Sequence, residues 1–140
     1  MRWLFAVTSI GCGSAPCSRE GACVGGAVVD LSGELPAFWM EGTGDVVPDT
    51  LDVARVESCD RGSTIWSIRR LPEPEEPIVY GELPARAREE IEAQALELDR
   101  DYVVTFSRAF SPSASESVDG WAAAFTWGDP DSVRSPEACP

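Results

Sequence analysis

Alternation with a period of two, repeated in short runs between turn-forming residues, is what most constrains this chain. Tyr102, Val104 and Phe106 fall on one face of an extended run, and Trp121, Ala123, Phe125 and Trp127 on one face of another. Successive side chains of a strand point to opposite faces, so each run can bury one face. Five more runs of similar size lie at 27–31, 35–40, 51–56, 64–68 and 77–80, separated by glycine, proline and aspartate. Seven such runs at this spacing predict an all-β domain built as a β-sandwich of about seven strands. One stretch breaks the pattern. In 84–96, Ala87, Ile91 and Ala95 recur every four residues, with Pro84 near the start and Glu89 and Glu90 early. That spacing predicts one short crossover helix between the two sheets. Residues 111–117 read as a flexible loop.

The first residues follow different rules. Met1 and Arg2 precede an apolar run of eight residues, Trp3 to Ile10, which leads to Gly11 and Cys12. A positive charge, a short apolar run and a small residue before the cut form a signal peptide; the plain alternative is an ordinary first strand. Ser9-Ile10-Gly11-Cys12 resembles a bacterial lipobox. That resemblance implies a diacylglycerol on the Cys12 sulfur, cleavage before Cys12 and acylation of the new amine. Gly13 in place of aspartate implies outer-membrane sorting. The resulting division is a signal peptide at 1–11, a lipid-anchored tether at 12–25 and a sandwich at 26–140 with a disulfide-tied tail.

The cysteine count fits this division. The chain has five cysteines, and setting Cys12 aside as the lipid carrier leaves Cys17, Cys23, Cys59 and Cys139. An exported chain meets an oxidising compartment, so these four are disulfide candidates. Four cysteines allow three connectivities, and Cys17–Cys23 with Cys59–Cys139 is the preferred one. A four-cysteine zinc site is the alternative, but the spacing lacks paired C-x₂-C knuckles.

A second resemblance concerns the fold. In the segment 96–106, Leu96 stands six residues before Tyr102, which is followed by Val104 and Phe106. This resembles the sixth strand of fibronectin type III and related immunoglobulin-like domains. It implies that the Tyr102 hydroxyl bonds back to upstream backbone and locks a corner. Trp39 resembles the buried tryptophan of an early strand in those domains. Val104 stands two after the tyrosine, so no inter-sheet cystine of the antibody kind can form.

Composition narrows the chemistry. There is no histidine, and every one of the eleven basic residues is arginine. Without histidine there is no Ser–His or Cys–His catalysis; without lysine there is no Schiff base and no Walker-type phosphate lysine. A net charge of −13 disfavours nucleic acid as a partner. The tryptophan stripe of 121–127 reads as core before it reads as a sugar or peptide platform. The opposite face, Ala122, Ala124 and Thr126, is small enough for a partner element to pack there. Calcium ligands are conceivable at Glu41 and Asp45, at Asp99 and Asp101, and at Asp129 and Asp131, although turn chemistry explains these residues without metal. Glu73, Glu75 and Glu76 read as a solvated loop, and Arg69 and Arg70 read as snorkelling or pairing with them before they read as recognising an anion.

The expectation is therefore a lipid-anchored cell-envelope protein of the outer membrane or periplasm, with a binding or structural role. No catalytic residues, cofactor or metal are assigned. Its partners are the membrane, through the anchor, and an envelope protein or glycan. The alternatives are a small hydrolase using paired carboxylates and a calcium-dependent adhesion module.

Overall fold

Each alternating run buries its apolar face against a second sheet, and that requirement sets the architecture. The computed structural model describes residues 22–24, 26–41, 47–57, 60–108 and 120–136. Nine strands follow in order: β1 (Ala22–Val24), β2 (Ala27–Asp30), β3 (Ala37–Met40), β4 (Thr50–Glu57), β5 (Asp60–Arg69), β6 (Ile78–Val79), β7 (Arg88–Ile91), β8 (Asp101–Ser107) and β9 (Gly120–Thr126). They form two antiparallel sheets, β1-β2-β3-β6 and β7-β5-β4-β8-β9. The molecule is a β-sandwich, and the described residues contain no helix. All seven predicted runs are strands.

The core lies between the sheets. Phe38 and Met40 meet Leu51, Val53, Trp66, Ile68, Tyr102, Val104, Phe106 and Phe125. The stripe of 121–127 faces this core: Ala123 and Phe125 are fully buried, while Trp121 and Trp127 pack against its margin. On the other face Ala124 is also buried. In β5 the ladder slips between Val53↔Trp66 and Ala54↔Thr64. This bulge gives β5 one extra residue, and Ile65 joins Trp66 and Ile68 in the core.

Trp39 is buried but does not belong to this cluster. It pairs with Val28, while its neighbours Phe38 and Met40 take the inward positions. Strand alternation therefore turns Trp39 away from the second sheet, and its indole N–H donates to the Glu41 carboxylate at 2.9 Å. The tryptophan inside the sandwich is Trp66, edge-on to Tyr80 at 5.1 Å between centroids.

The helix predicted for 84–96 does not form. The segment supplies the edge strand β7 and an extended crossover to β8. Ile91 and Ala95 are exposed, so the four-residue spacing buries no continuous face. An isolated helix of this length is marginal without such packing. Pairing with β5 instead uses backbone groups that would otherwise be open, and the Trp66 indole donates to Glu89 at 3.0 Å.

Two tyrosines pin the crossover. The Tyr80 hydroxyl donates to the Gln94 carbonyl at 2.5 Å, and the Tyr102 hydroxyl accepts the Glu97 N–H at 2.8 Å. Ala93 and Leu96 pack against the core between these anchors. Burial pushes the Tyr80 phenol up to about 12, and the neighbouring Tyr102 adds to the effect.

β1 falls within the stretch predicted as tether, where Ala22–Val24 pairs with β2 and Cys23 stands opposite Val28. Cys12, Cys17, Cys59 and Cys139 lie outside the described residues, as do the signal segment and the loop at 111–117. The tail beyond Trp127 gains a contact that its sequence did not suggest: Arg134 bridges Ala124 on the outer edge of β9.

Candidate functional site: an arginine corner at the β5–β7 edge

β5 ends in Arg69 followed by Arg70, and β7 begins at Arg88. Their register sets Arg69 directly opposite Arg88. The chain reaches β7 through a turn closed by the Ala87 N–H on the Pro84 carbonyl at 3.1 Å, with Arg86 inside it. Four of the eleven basic residues thus gather at one end of one strand pair, in a chain whose net charge is −13.

Their partners are few. Glu90 lies between two of them, with Oε1 3.8 Å from Arg69 Nε and Oε2 3.1 Å from Arg88 Nε. Glu89 is occupied by the Trp66 indole. Among the described residues, neither Arg70 nor Arg86 has an ion pair or side-chain hydrogen bond. Like charges directly opposite each other on neighbouring strands repel, so Arg69 and Arg88 depend on the Glu90 carboxylate held between them.

The backbone at this corner is also strained. Arg70 has φ 62° and Arg86 has φ 71°. An L-residue with a Cβ costs ~1 kcal/mol or more in that region, and glycine avoids the cost. Among the described residues the third such residue outside glycine is Asp99, at φ 63°, of a type whose short polar side chain tolerates the conformation. Both arginines that adopt it flank the same strand pair.

The sequence alone points to Arg69 and Arg70 but not to Arg86 or Arg88. The helical assignment hid them. On a helix, residues two apart point about 200° from each other, so Arg86 and Arg88 diverge and neither meets β5. The available signal was the cluster Pro84-Ala85-Arg86-Ala87-Arg88 itself, a proline-led turn carrying two charges. Arg69 pairs with Glu90 rather than with the glutamates of the 73–76 loop.

The other predicted residues are placed as follows. Asp101 accepts from Thr126 Oγ1 at 2.6 Å and pairs with Arg134 at 3.4 Å. Asp129 Oδ1 accepts the Asp131 N–H at 3.0 Å, an ordinary turn contact. Glu41 receives the Trp39 indole, and Asp45 lies outside the described residues. No group of three or more potential metal ligands is found among the described residues. A shallow depression of about 290 Å³ beside the β2–β3 turn is lined in part by Asp30, Glu34 and Glu82. Asp30 there accepts both the backbone N–H and the hydroxyl of Ser32. A neighbouring depression of about 240 Å³ carries Leu31, Leu98, Trp127 and Pro130. Among the described residues, no helix is long and apolar enough to cross a membrane. Compared with known protein families, curated proteins and solved structures, the chain matches none.

Proposed function

We propose that this chain is a lipid-anchored envelope protein whose β-sandwich is an immunoglobulin-like binding module. The single observation that carries the reading is the order Arg2, apolar run, Gly11, Cys12 ahead of a folded sandwich. The strand order supports the fold half of it. β2-β3-β6 packed against β5-β4-β8-β9 resembles the two-sheet arrangement of fibronectin type III domains, with β1 and β7 as additions. The Tyr102 hydroxyl on the Glu97 N–H is the kind of contact that locks a tyrosine corner.

The anchor would keep the module close to a bilayer. Nine residues, 13 to 21, separate Cys12 from β1. Fully extended, they span at most about 30 Å. A module held so near the headgroups works at that surface, as a binder of envelope components or as a structural part, and not on nucleic acid.

The test is chemical. Expressed with its first residues intact, the protein should enter the detergent phase and carry acyl mass on an N-terminal Cys12. Cys12→Ala should lose the mass and remain unprocessed. Recovery of wild-type protein intact from Met1 with a free Cys12 thiol would end the proposal.

A further inference from the structure

We propose that the arginine corner is a binding site for phosphate-bearing ligands, formed by Arg69, Arg70, Arg86 and Arg88. The inference goes beyond the lipid anchor and stands without it.

Three observations on the same strand pair carry it. The first is charge. Of the four guanidinium groups, those of Arg69 and Arg88 share the Glu90 carboxylate, and Arg70 and Arg86 have no ion pair among the described residues. The net charge of −13 does not cancel this locally. At physiological ionic strength charges are screened beyond about 8 Å, so a ligand in contact with the corner responds to these guanidinium groups before the distant acids. The second is geometry. Glu90 shows that the Arg69 and Arg88 Nε groups already converge on the two oxygens of one anion. A terminal phosphate offers three such oxygens and a charge near −2, a phosphodiester two oxygens and a single charge, and guanidinium forks match such oxygen pairs. The third is strain. Arg70 and Arg86 occupy backbone conformations in which glycine would be easier. Strain of this kind clusters at ligand sites, where a side chain is needed in spite of its backbone.

Strand addition is the other use of a sheet edge, and this edge resists it. β7 has four residues, is charged, and is interrupted by a register shift between Ser67 and Ile68 on its partner. Short, bulged and charged edges recruit new strands poorly. What the corner offers a ligand is charge rather than backbone.

The experiment uses the full chain with Cys12→Ala, so that no lipid contributes. Tripolyphosphate is titrated while backbone amide resonances are followed, and sedimentation is measured with phosphatidylcholine vesicles with and without phosphatidylglycerol. Saturable shifts should centre on 69–70 and 86–90. Arg70→Gly with Arg86→Gly should weaken tripolyphosphate binding at least tenfold while raising the thermal midpoint, because glycine relieves both backbones. Arg70→Gln with Arg86→Gln should weaken it as much without that rise. Glu90→Gln should tighten binding several-fold by freeing Arg69 and Arg88. Added sedimentation with phosphatidylglycerol that both double arginine variants lose assigns the phosphate to lipid headgroups, and tripolyphosphate binding without it assigns a soluble ligand. Absence of binding to both probes, equal binding by the arginine variants, or weaker binding by Glu90→Gln would overturn the proposal.

Discussion

The two edges of the five-stranded sheet are finished in opposite ways. At β9 the chain closes its own edge. Ala124 and Arg134 exchange two backbone hydrogen bonds, of 2.8 and 2.9 Å. Ser132 Oγ receives the Thr126 N–H at 2.8 Å, and Arg134 pairs with Asp101 at 3.4 Å. At β7 the edge strand has no such cover among the described residues. Beside its first residue stand arginines with too few carboxylates, and two of them, Arg70 and Arg86, have left-handed backbones. Both solutions protect an edge from adding a foreign strand. The first uses up polar groups and leaves little to bind. The second leaves charge uncompensated, and uncompensated charge can do work on a ligand.

The largest effect that this contrast predicts concerns packing. Phe125 on β9 is fully buried against Phe38 and Tyr102, so Phe125→Ala should cost about 3–5 kcal/mol. Ile91 on β7 is 39% exposed, and Ile91→Ala should cost less than about 1.5 kcal/mol. Urea unfolding of both variants compares the two sides, and equal costs would refute the asymmetry.

Next come the tyrosines that join the sides through the crossover. Tyr80→Phe and Tyr102→Phe each remove a part-buried hydrogen bond and should each cost about 1 kcal/mol. Because both pin residues 94–97, the double variant should depart from additivity by about 0.5 kcal/mol or more. Alkaline pH probes the burial of the same Tyr80 side chain. The phenol of Tyr80 ionises at about 12 in the fold against 10.0 unfolded, so the unfolded chain loses its proton first. The associated stability is complete below pH 10 and is lost as pH rises from there through 12. Tyr80→Phe should flatten that part of the stability–pH curve.

A smaller effect is expected at the closed edge. Ser132→Ala removes the acceptor of the Thr126 N–H and should cost about 1 kcal/mol. Amide exchange at Ala124 and Thr126 should quicken while β7 amides stay unchanged. Smallest of all is Arg88→Gln, within about ±0.5 kcal/mol, because its ion pair is exposed and its strand neighbour is another arginine. A cost above 1 kcal/mol would show that the corner serves stability rather than binding.

Much of the sandwich was legible because alternation is a local signal. Tyr102, Val104 and Phe106, and Ala123 and Phe125, reach the core as their spacing predicted. Trp39 shows the limit of that signal. Alternation places Phe38 and Trp39 on opposite faces, but both are apolar, and only the facing sheet selects Phe38 for the core. The segment 84–96 shows a second limit. Its glutamates and alanines suit a helix, yet β5 offered an edge and the four-residue spacing offered no buried face.

By itself, then, the sequence determined the strand runs and the absence of histidine and lysine chemistry, since both are read from the residues without their neighbours in space. Tertiary structure alone decided that Arg69 and Arg70 meet Arg86 and Arg88, and that Arg134 rather than another strand closes β9. These residues are separated by 10 to 19 positions along the chain. Only pairing between strands brings such distant groups together, and no local periodicity encodes which strand will be the neighbour.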